Sequence, residues 1–265
     1  MNETGAVQKR PSFSRLQLVL YPVLVLGLFF ATGLAVELAV QRGTLTPGSL
    51  SYSLVAYGLN LFFFAGGAFV LAIWPGKLTW DELGIAPPRW RWLWLLLAVG
   101  LTLVLLPLRG LIGLVVQQWL GGGMEGMQER LSLLVGSELS WARFFVTLLG
   151  AGVLAPVAEE LFFRGLVYTA FRQRLGIAAA ATVSALVFAV GHIDALGVVA
   201  ASFIIGIVLA LVYEYTRSLW VAIAIHVFNN SLATVLLFLL LLAQAYLREQ
   251  GVDPTLWTSP LPVSP

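Results

Sequence analysis

An all-α, polytopic bundle of about seven transmembrane helices, within a range of six to eight, is the fold this sequence predicts. Three observations predict it. Of the 265 residues, 59% are hydrophobic and only 11% are charged, whereas soluble domains carry roughly a quarter charged residues. The apolar residues run in long blocks, among them Leu16–Val40, Ser53–Trp74, Trp92–Leu106 and Leu219–Ala243, and a helix needs about 20 such residues to cross the hydrocarbon. Indole rings favour the headgroup level, and Trp74, Trp90, Trp92, Trp119, Trp141 and Trp220 stand at or near block ends. Backbone in lipid must satisfy its own hydrogen bonds, so unbroken apolar blocks mean helices rather than barrel strands.

Taken in order, the blocks give crossings at 16–40, 50–74, 92–119, 143–171, 177–193, 196–215 and 219–245. The first follows Lys9, Arg10 and Arg15, as a signal peptide would. It is too long for a typical signal core and lacks a small-residue cleavage site, so it reads as an uncleaved anchor. The connection Pro75–Arg91 is amphipathic and suits the membrane surface, and Gly121–Ser140 reads as a Gly-rich start followed by a short amphipathic helix. Residues 1–141 form an N-terminal transmembrane scaffold, 142–245 a helix core that carries the chemistry, and 246–265 a Pro- and Ser-rich tail with a disordered composition.

The loop charges alternate. One set of loops holds Lys9, Arg10 and Arg15, then Lys77, Arg89 and Arg91, then Arg172 and Arg174, then Arg217; the other holds Arg42, Arg130 among three glutamates, Asp194 and Arg248. Basic residues accumulate on the cytoplasmic side. The chain is therefore expected in the cytoplasmic (plasma) membrane with its N-terminus inside. The isoelectric point of 9.1 does not point to nucleic acid, because the net charge is only +2 and no basic patch is dense. With no cysteine, disulfides, thiolate metal sites and a cysteine nucleophile are excluded.

Ionisable groups inside a membrane segment are costly and are functional candidates by default. Glu159 and Glu160 lie side by side in an apolar helix behind Pro156. Neighbours on a helix differ by about 100°, so the two carboxylates point in different directions. Arg164 stands four residues after Glu160 and can pair with it, which leaves Glu159 for other work. Phe188 and His192 are again four apart, as are His226 and Asn230, and these are the chain's only two histidines. Neutral imidazole and carboxylate are what a metal or an activated water needs. Asn230 and a histidine N–H can donate to a developing oxyanion. No Gly stands two residues before a Ser, and Asp81, Asp194 and Asp253 all lie outside the depths of the crossings. Those facts remove serine and aspartyl intramembrane chemistry, and the wide separation of the histidines removes His-Glu-x-x-His.

In order, EELFFRG, FAVGH and HVFNN resemble the three motifs of the CPBP intramembrane proteases, which include the type II CAAX prenyl endopeptidases and bacteriocin-processing and immunity proteins. The resemblance covers Ala142–Leu242. It implies an endopeptidase acting on a peptide or membrane-protein substrate, prenylated in the CAAX case, among membrane lipid. Glu159 would activate water with the help of His192. His226 and Asn230 would bind the oxyanion, and Glu160 and Arg164 would hold the geometry. Two mechanisms stay open: Zn2+ held by Glu159, His192 and His226 with water in the fourth position, or a metal-free glutamate mechanism. A non-proteolytic transporter, or a binding or immunity protein on the same bundle, is the alternative reading.

Two features resist this reading. His192 falls near the outer end of its crossing while Glu159 and His226 lie deeper, a spread on the order of 10 Å at about 1.5 Å per residue. Arg109 sits between Pro107 and Gly110 in the third crossing. Either that crossing ends early and Arg109 snorkels to the headgroups, or it faces the bundle interior.

The charge asymmetry predicts a labelling result. In a chain without native cysteine, Gln173→Cys in intact cells is expected to react with a membrane-impermeant thiol reagent only after permeabilisation. Reaction from outside would reverse the orientation.

Overall fold

The computed structural model describes residues 12–85, 92–119, 140–193 and 196–251. These form seven helices and, among the described residues, no strand. Helix α1 spans Arg15–Gln41, α2 Leu50–Ile73, α3 Trp92–Trp119, α4 Trp141–Arg172, α5 Ile177–Val190, α6 Leu196–Thr216 and α7 Leu219–Glu249. All but α5 are long and apolar enough to cross a membrane. The chain is an integral, multi-pass membrane protein built as an all-helical bundle, as its composition predicts. The expected surface helix within Gly121–Ser140, most of the tail and part of the Pro75–Arg91 connection lie outside the described residues.

Burial along the helices separates interior from rim. In the apolar windows of α4 and α6, 39% and 44% of residues are buried, against 11% in α1 and α2. The exterior is a coat of large apolar side chains, with Leu16, Val23, Phe62, Leu103 and Val104 all more than 60% exposed. Exposed apolar surface on this scale belongs against lipid. Helix starts are capped where the sequence offers a hydroxyl. Ser14 accepts from the Gln17 amide, with the Gln17 side chain returning to the Ser14 amide, and Ser49 and Ser140 cap α2 and α4.

Helix α5 has only 14 residues and rises about 21 Å. It stops short of a full crossing. The residues after it, Gly191, His192 and Ile193, form a turn that lines the same cavity as Glu159, so the depth spread expected from the sequence does not separate His192 from Glu159. Helix α4, by contrast, has 32 residues and alternates α-helical turns with π-helical stretches at Leu148–Leu154 and Leu161–Tyr168.

Side-chain ties gather one set of loops at one end of the bundle. Lys77 Nζ donates to the Ser12 carbonyl at 3.3 Å and to Gln17 Oε1 at 2.9 Å. Arg174 donates to the Phe13 carbonyl at 2.6 Å. Glu214, 4% exposed, accepts from the Tyr168 hydroxyl at 2.7 Å, from Arg172 at 3.3 Å and from Arg217 at 3.1 Å. Gly84, at φ +68°, brings its loop so close to the Arg217 carbonyl that a Cβ there would sit 2.4 Å from the oxygen. Arg15, Lys77, Arg172, Arg174 and Arg217 thus share one end, as the alternation of loops requires.

The Glu214 tie is worth weighing. Arg217 is 76% exposed and Arg172 35% exposed, so screening leaves those pairs little net value. The buried Tyr168 hydroxyl carries most of it. Glu214→Ala is expected to cost about 1–3 kcal/mol, read as a lower thermal midpoint in detergent, while Arg217→Ala should barely move that midpoint. Equal losses from the two variants would refute this weighting.

Candidate active site

The site begins with a missing proton. Pro156 has no N–H, so the Gly152 carbonyl, four residues earlier in α4, loses its ordinary helical donor. Side chains of α7 reach that carbonyl and its neighbour. Ser231 Oγ donates to the Gly152 carbonyl at 3.1 Å, and Asn230 Nδ2 donates to the Ala151 carbonyl at 3.3 Å. Gly152 lets the helices meet this closely, since a Cβ there would stand 2.9 Å from Ser231 Oγ. Further along, Ser184 donates to the Phe163 carbonyl at 2.8 Å and Thr169 to the Arg164 carbonyl at 3.0 Å. The second π stretch is thereby served by hydroxyls, and irregular helices of this kind concentrate at functional sites.

Between the two π stretches stand Glu159 and Glu160. The adjacent carboxylates separate as the helical rotation predicts. Glu160 and Arg164 are fully buried, and Arg164 Nη1 donates to Glu160 Oε1 at 2.7 Å. A second guanidinium nitrogen donates to the Gly206 carbonyl of α6 at 3.2 Å. The Arg164 guanidinium also lies 4.7 Å from the centre of the Phe188 ring, within cation–π range. His226 Nδ1 stands 2.8 Å from the same Glu160 oxygen, and its Nε2 is 3.7 Å from Glu159 Oε2. A ring that donates Nδ1–H to Glu160 is held with Nε2 facing Glu159.

Glu159 faces the other way, into a cavity of about 550 Å³ that His192, Asn230 and Asn60 also line. His192 Nδ1 lies 3.0 Å from the Phe188 carbonyl. That carbonyl can only accept, so Nδ1 carries a proton, and in a neutral ring the lone pair is then on Nε2. Phe188 packs edge-on against both His192 and His226, at 4.8 and 5.8 Å between ring centres, and so spaces the two imidazoles. The cavity rises along Ala155 and Ala151 of α4, Tyr57 and Tyr52 of α2 and Gly33 of α1, away from the end that carries the basic ties. Phe64, Phe162, Phe163 and Phe188, each at most 2% exposed, stack at 5.1–5.5 Å; Phe64 and Phe163 stand one turn beyond Asn60 and Glu159, toward the end that carries the basic ties.

All six residues singled out in the sequence thus meet at one place, in two layers. Glu159, His192 and Asn230 line the cavity, while Glu160, Arg164 and His226 stand behind them. His226 is 3% exposed and reaches the cavity only past Glu159. Among the described residues, no group of three His, Cys, Asp or Glu side chains is gathered tightly enough to hold a metal ion. As it stands, the Glu159, His192 and His226 set does not fit a three-ligand zinc site.

Asn60 escaped the sequence reading. Its Nδ2 donates to Glu159 Oε1 at 3.1 Å from α2. The signal was present, since Asn60 is the lone carboxamide in the block Ser53–Trp74, but no spacing ties it to Glu159, which lies 99 residues away.

Residues 141–232 match the family described as type II CAAX prenyl endopeptidase Rce1-like. The chain is also 28% identical, over 167 residues, to the "Membrane-embedded CAAX protease MroQ" of Staphylococcus aureus (strain USA300), an alignment covering 61% of this chain and 63% of that protein. No solved structure matches. Over this core the chain is similar to that family, in agreement with the three motifs.

The Asn60 contact predicts an energetic coupling. A buried acceptor left without its donor costs about 1–3 kcal/mol, so Asn60→Leu should destabilise the protein on that order in detergent unfolding. In a Glu159→Leu background the same change should cost much less. Identical costs in both backgrounds would mean that Asn60 and Glu159 do not interact.

Proposed function

We propose that the protein is an intramembrane endopeptidase in which Glu159 and His192 activate a water molecule against the peptide bond of a membrane-associated substrate. One observation carries the reading: Glu159, His192 and Asn230, drawn from α4, the α5 turn and α7, line a single cavity inside an apolar bundle. In the proposed step the His192 Nε2 lone pair and Glu159 hold the water. Its oxygen attacks the carbonyl carbon and its proton passes to Glu159. Asn230 Nδ2 donates to the oxyanion, a kind of stabilisation that is often the largest single catalytic contribution. Collapse breaks the C–N bond, and Glu159 returns the proton to the leaving amine.

Glu160 and Arg164 serve this step indirectly. Their pairing holds Glu160 at the base of the site, and Glu160 in turn fixes His226 against Glu159. An oxyanion contact from His226 would come through Nε2, the nitrogen that faces Glu159. The substrate is a peptide held at the membrane; the likeness to the CAAX protease of Staphylococcus aureus favours a CAAX end, and the likeness to the type II CAAX prenyl endopeptidases favours a prenylated one. It enters from the end opposite the basic ties, which with the proposed N-inside orientation is the non-cytoplasmic end.

The test uses purified protein in nanodiscs and a peptide library that includes farnesylated CAAX ends, read by mass spectrometry. Wild type should cleave. Glu159→Gln and His192→Ala should each fall to background while keeping a cooperative thermal transition. Near wild-type turnover in either variant removes the assignment. The reading needs no metal, so chelator-treated protein with negligible metal content should keep its turnover; loss of activity that zinc restores would instead require Glu159, His192 and His226 to close around the ion.

A further inference from the structure

Arg109 belongs to none of the three motifs, yet the fold carries it to one of them. Helix α3 runs unbroken from Trp92 to Trp119 through Pro107, so the crossing does not end before Arg109. The side chain is half-buried and turns to α7, where Nη1 donates to Asn229 Oδ1 and, at 3.2 Å, to Asn230 Oδ1. Thr102, two helical turns earlier, also donates from α3 to α7, to the Ile225 carbonyl at 3.5 Å.

We infer that Arg109 is a positioning residue that sets the carboxamide of Asn230 with its NH2, and not its oxygen, available to the cavity. The inference rests on the peptidase reading above for its catalytic consequence, and on donor and acceptor chemistry for its geometry. A guanidinium offers donors only, and a backbone carbonyl accepts only. Asn230 has one of each as neighbours: its Oδ1 meets Arg109, and its Nδ2 meets the Ala151 carbonyl. The two ends of the amide are thus read independently, from α3 and from α4, and both readings demand the same orientation. One Nδ2 hydrogen is spent on Ala151, which leaves the second for another acceptor, and Asn230 lines the cavity.

Asn229 shows how strong the demand is. It is fully buried, it gives its oxygen to Arg109, and among the described residues its Nδ2 finds no partner. An amide serving only its own needs would not leave a donor stranded in this way. With Arg109 removed, Asn230 loses one of its two constraints. Its flipped form would then aim a carbonyl dipole at the oxygen that becomes negative during attack, opposing the charge it is placed to stabilise.

The chain contains four asparagines, Asn2, Asn60, Asn229 and Asn230. Protein labelled with 15N only in asparagine side-chain amides therefore shows few resonances, assignable by single substitutions. In nanodiscs, Arg109→Met is expected to shift or double the Asn230 side-chain pair while the Asn60 pair stays in place. Arg109→Lys, still a pure donor, should retain a single Asn230 pair. On the farnesylated CAAX peptide, Arg109→Met should lower kcat about 100-fold, the scale of losing one oxyanion donor, with KM within about twofold. It should add little further loss to Asn230→Ala, and Arg109→Lys should recover most of kcat. If the Met variant does not fold, Arg109→Gln, whose amide can present either end, carries the same expectations at smaller amplitude. An Asn230 pair unmoved by loss of the arginine overturns the inference, and so do fully additive effects of the two substitutions on kcat. If wild type cleaves nothing, the peptidase reading fails while the resonances still decide the orientation of the amide.

Discussion

A guanidinium at the centre of a membrane protein constrains everything around it. Arg164 is fully buried in a bundle whose exterior is hydrocarbon-facing. Even by lenient scales an arginine at mid-membrane costs about 2.5–3.5 kcal/mol, and removing only one member of a buried ion pair costs about 3–5 kcal/mol. The fold therefore brings Arg164 an anion, a carbonyl and an aromatic face from three different helices: Glu160, Gly206 and Phe188. Glu160, now committed, has one further donor in contact, His226. That contact sets the height of α7 against α4 and so brings Asn230 to the broken stretch behind Pro156. One charge, once placed, fixes the register of the interior helices.

Membrane helices lack the hydrophobic drive that joins helices in water, and packing with polar contacts replaces it. The described contacts follow that pattern. Gly206 would place a Cβ 2.9 Å from Ala185, so α5 and α6 touch nearly backbone to backbone. Ser184, Thr169, Ser231 and Asn230 spend their polar groups on carbonyls that α4 leaves exposed. The same irregularity that makes α4 costly alone gives its neighbours something to bind. Stability and site construction draw on one set of hydrogen bonds.

Much of this was legible in the sequence because its signal is local. A four-residue separation puts Glu160 beside Arg164 and Phe188 beside His192 whatever the tertiary fold, and long apolar blocks with tryptophan at their ends announce crossings. The failures share a cause. The short crossing at 177–193 ends three residues early because Gly191, His192 and Ile193 form a turn, and its end at Val190 could be seen only once the helix had neighbours. Asn60 and Arg109 act through partners about 100 and 120 residues away, and no periodicity encodes such a pairing. The π stretches of α4 were foreshadowed only by Pro156 and the glycines at 150 and 152, which say that a helix is disturbed without saying how.

On the peptidase reading, the aromatic stack has a consequence for the shape of a substrate. Phe64, Phe162, Phe163 and Phe188 would stand in the path of a polypeptide running from Glu159 toward the basic end of the bundle. A substrate would then present a chain end or a tight loop to Glu159. Selection would follow the distance of the scissile bond from a terminus or a bend, a measuring rule independent of the side chains displayed.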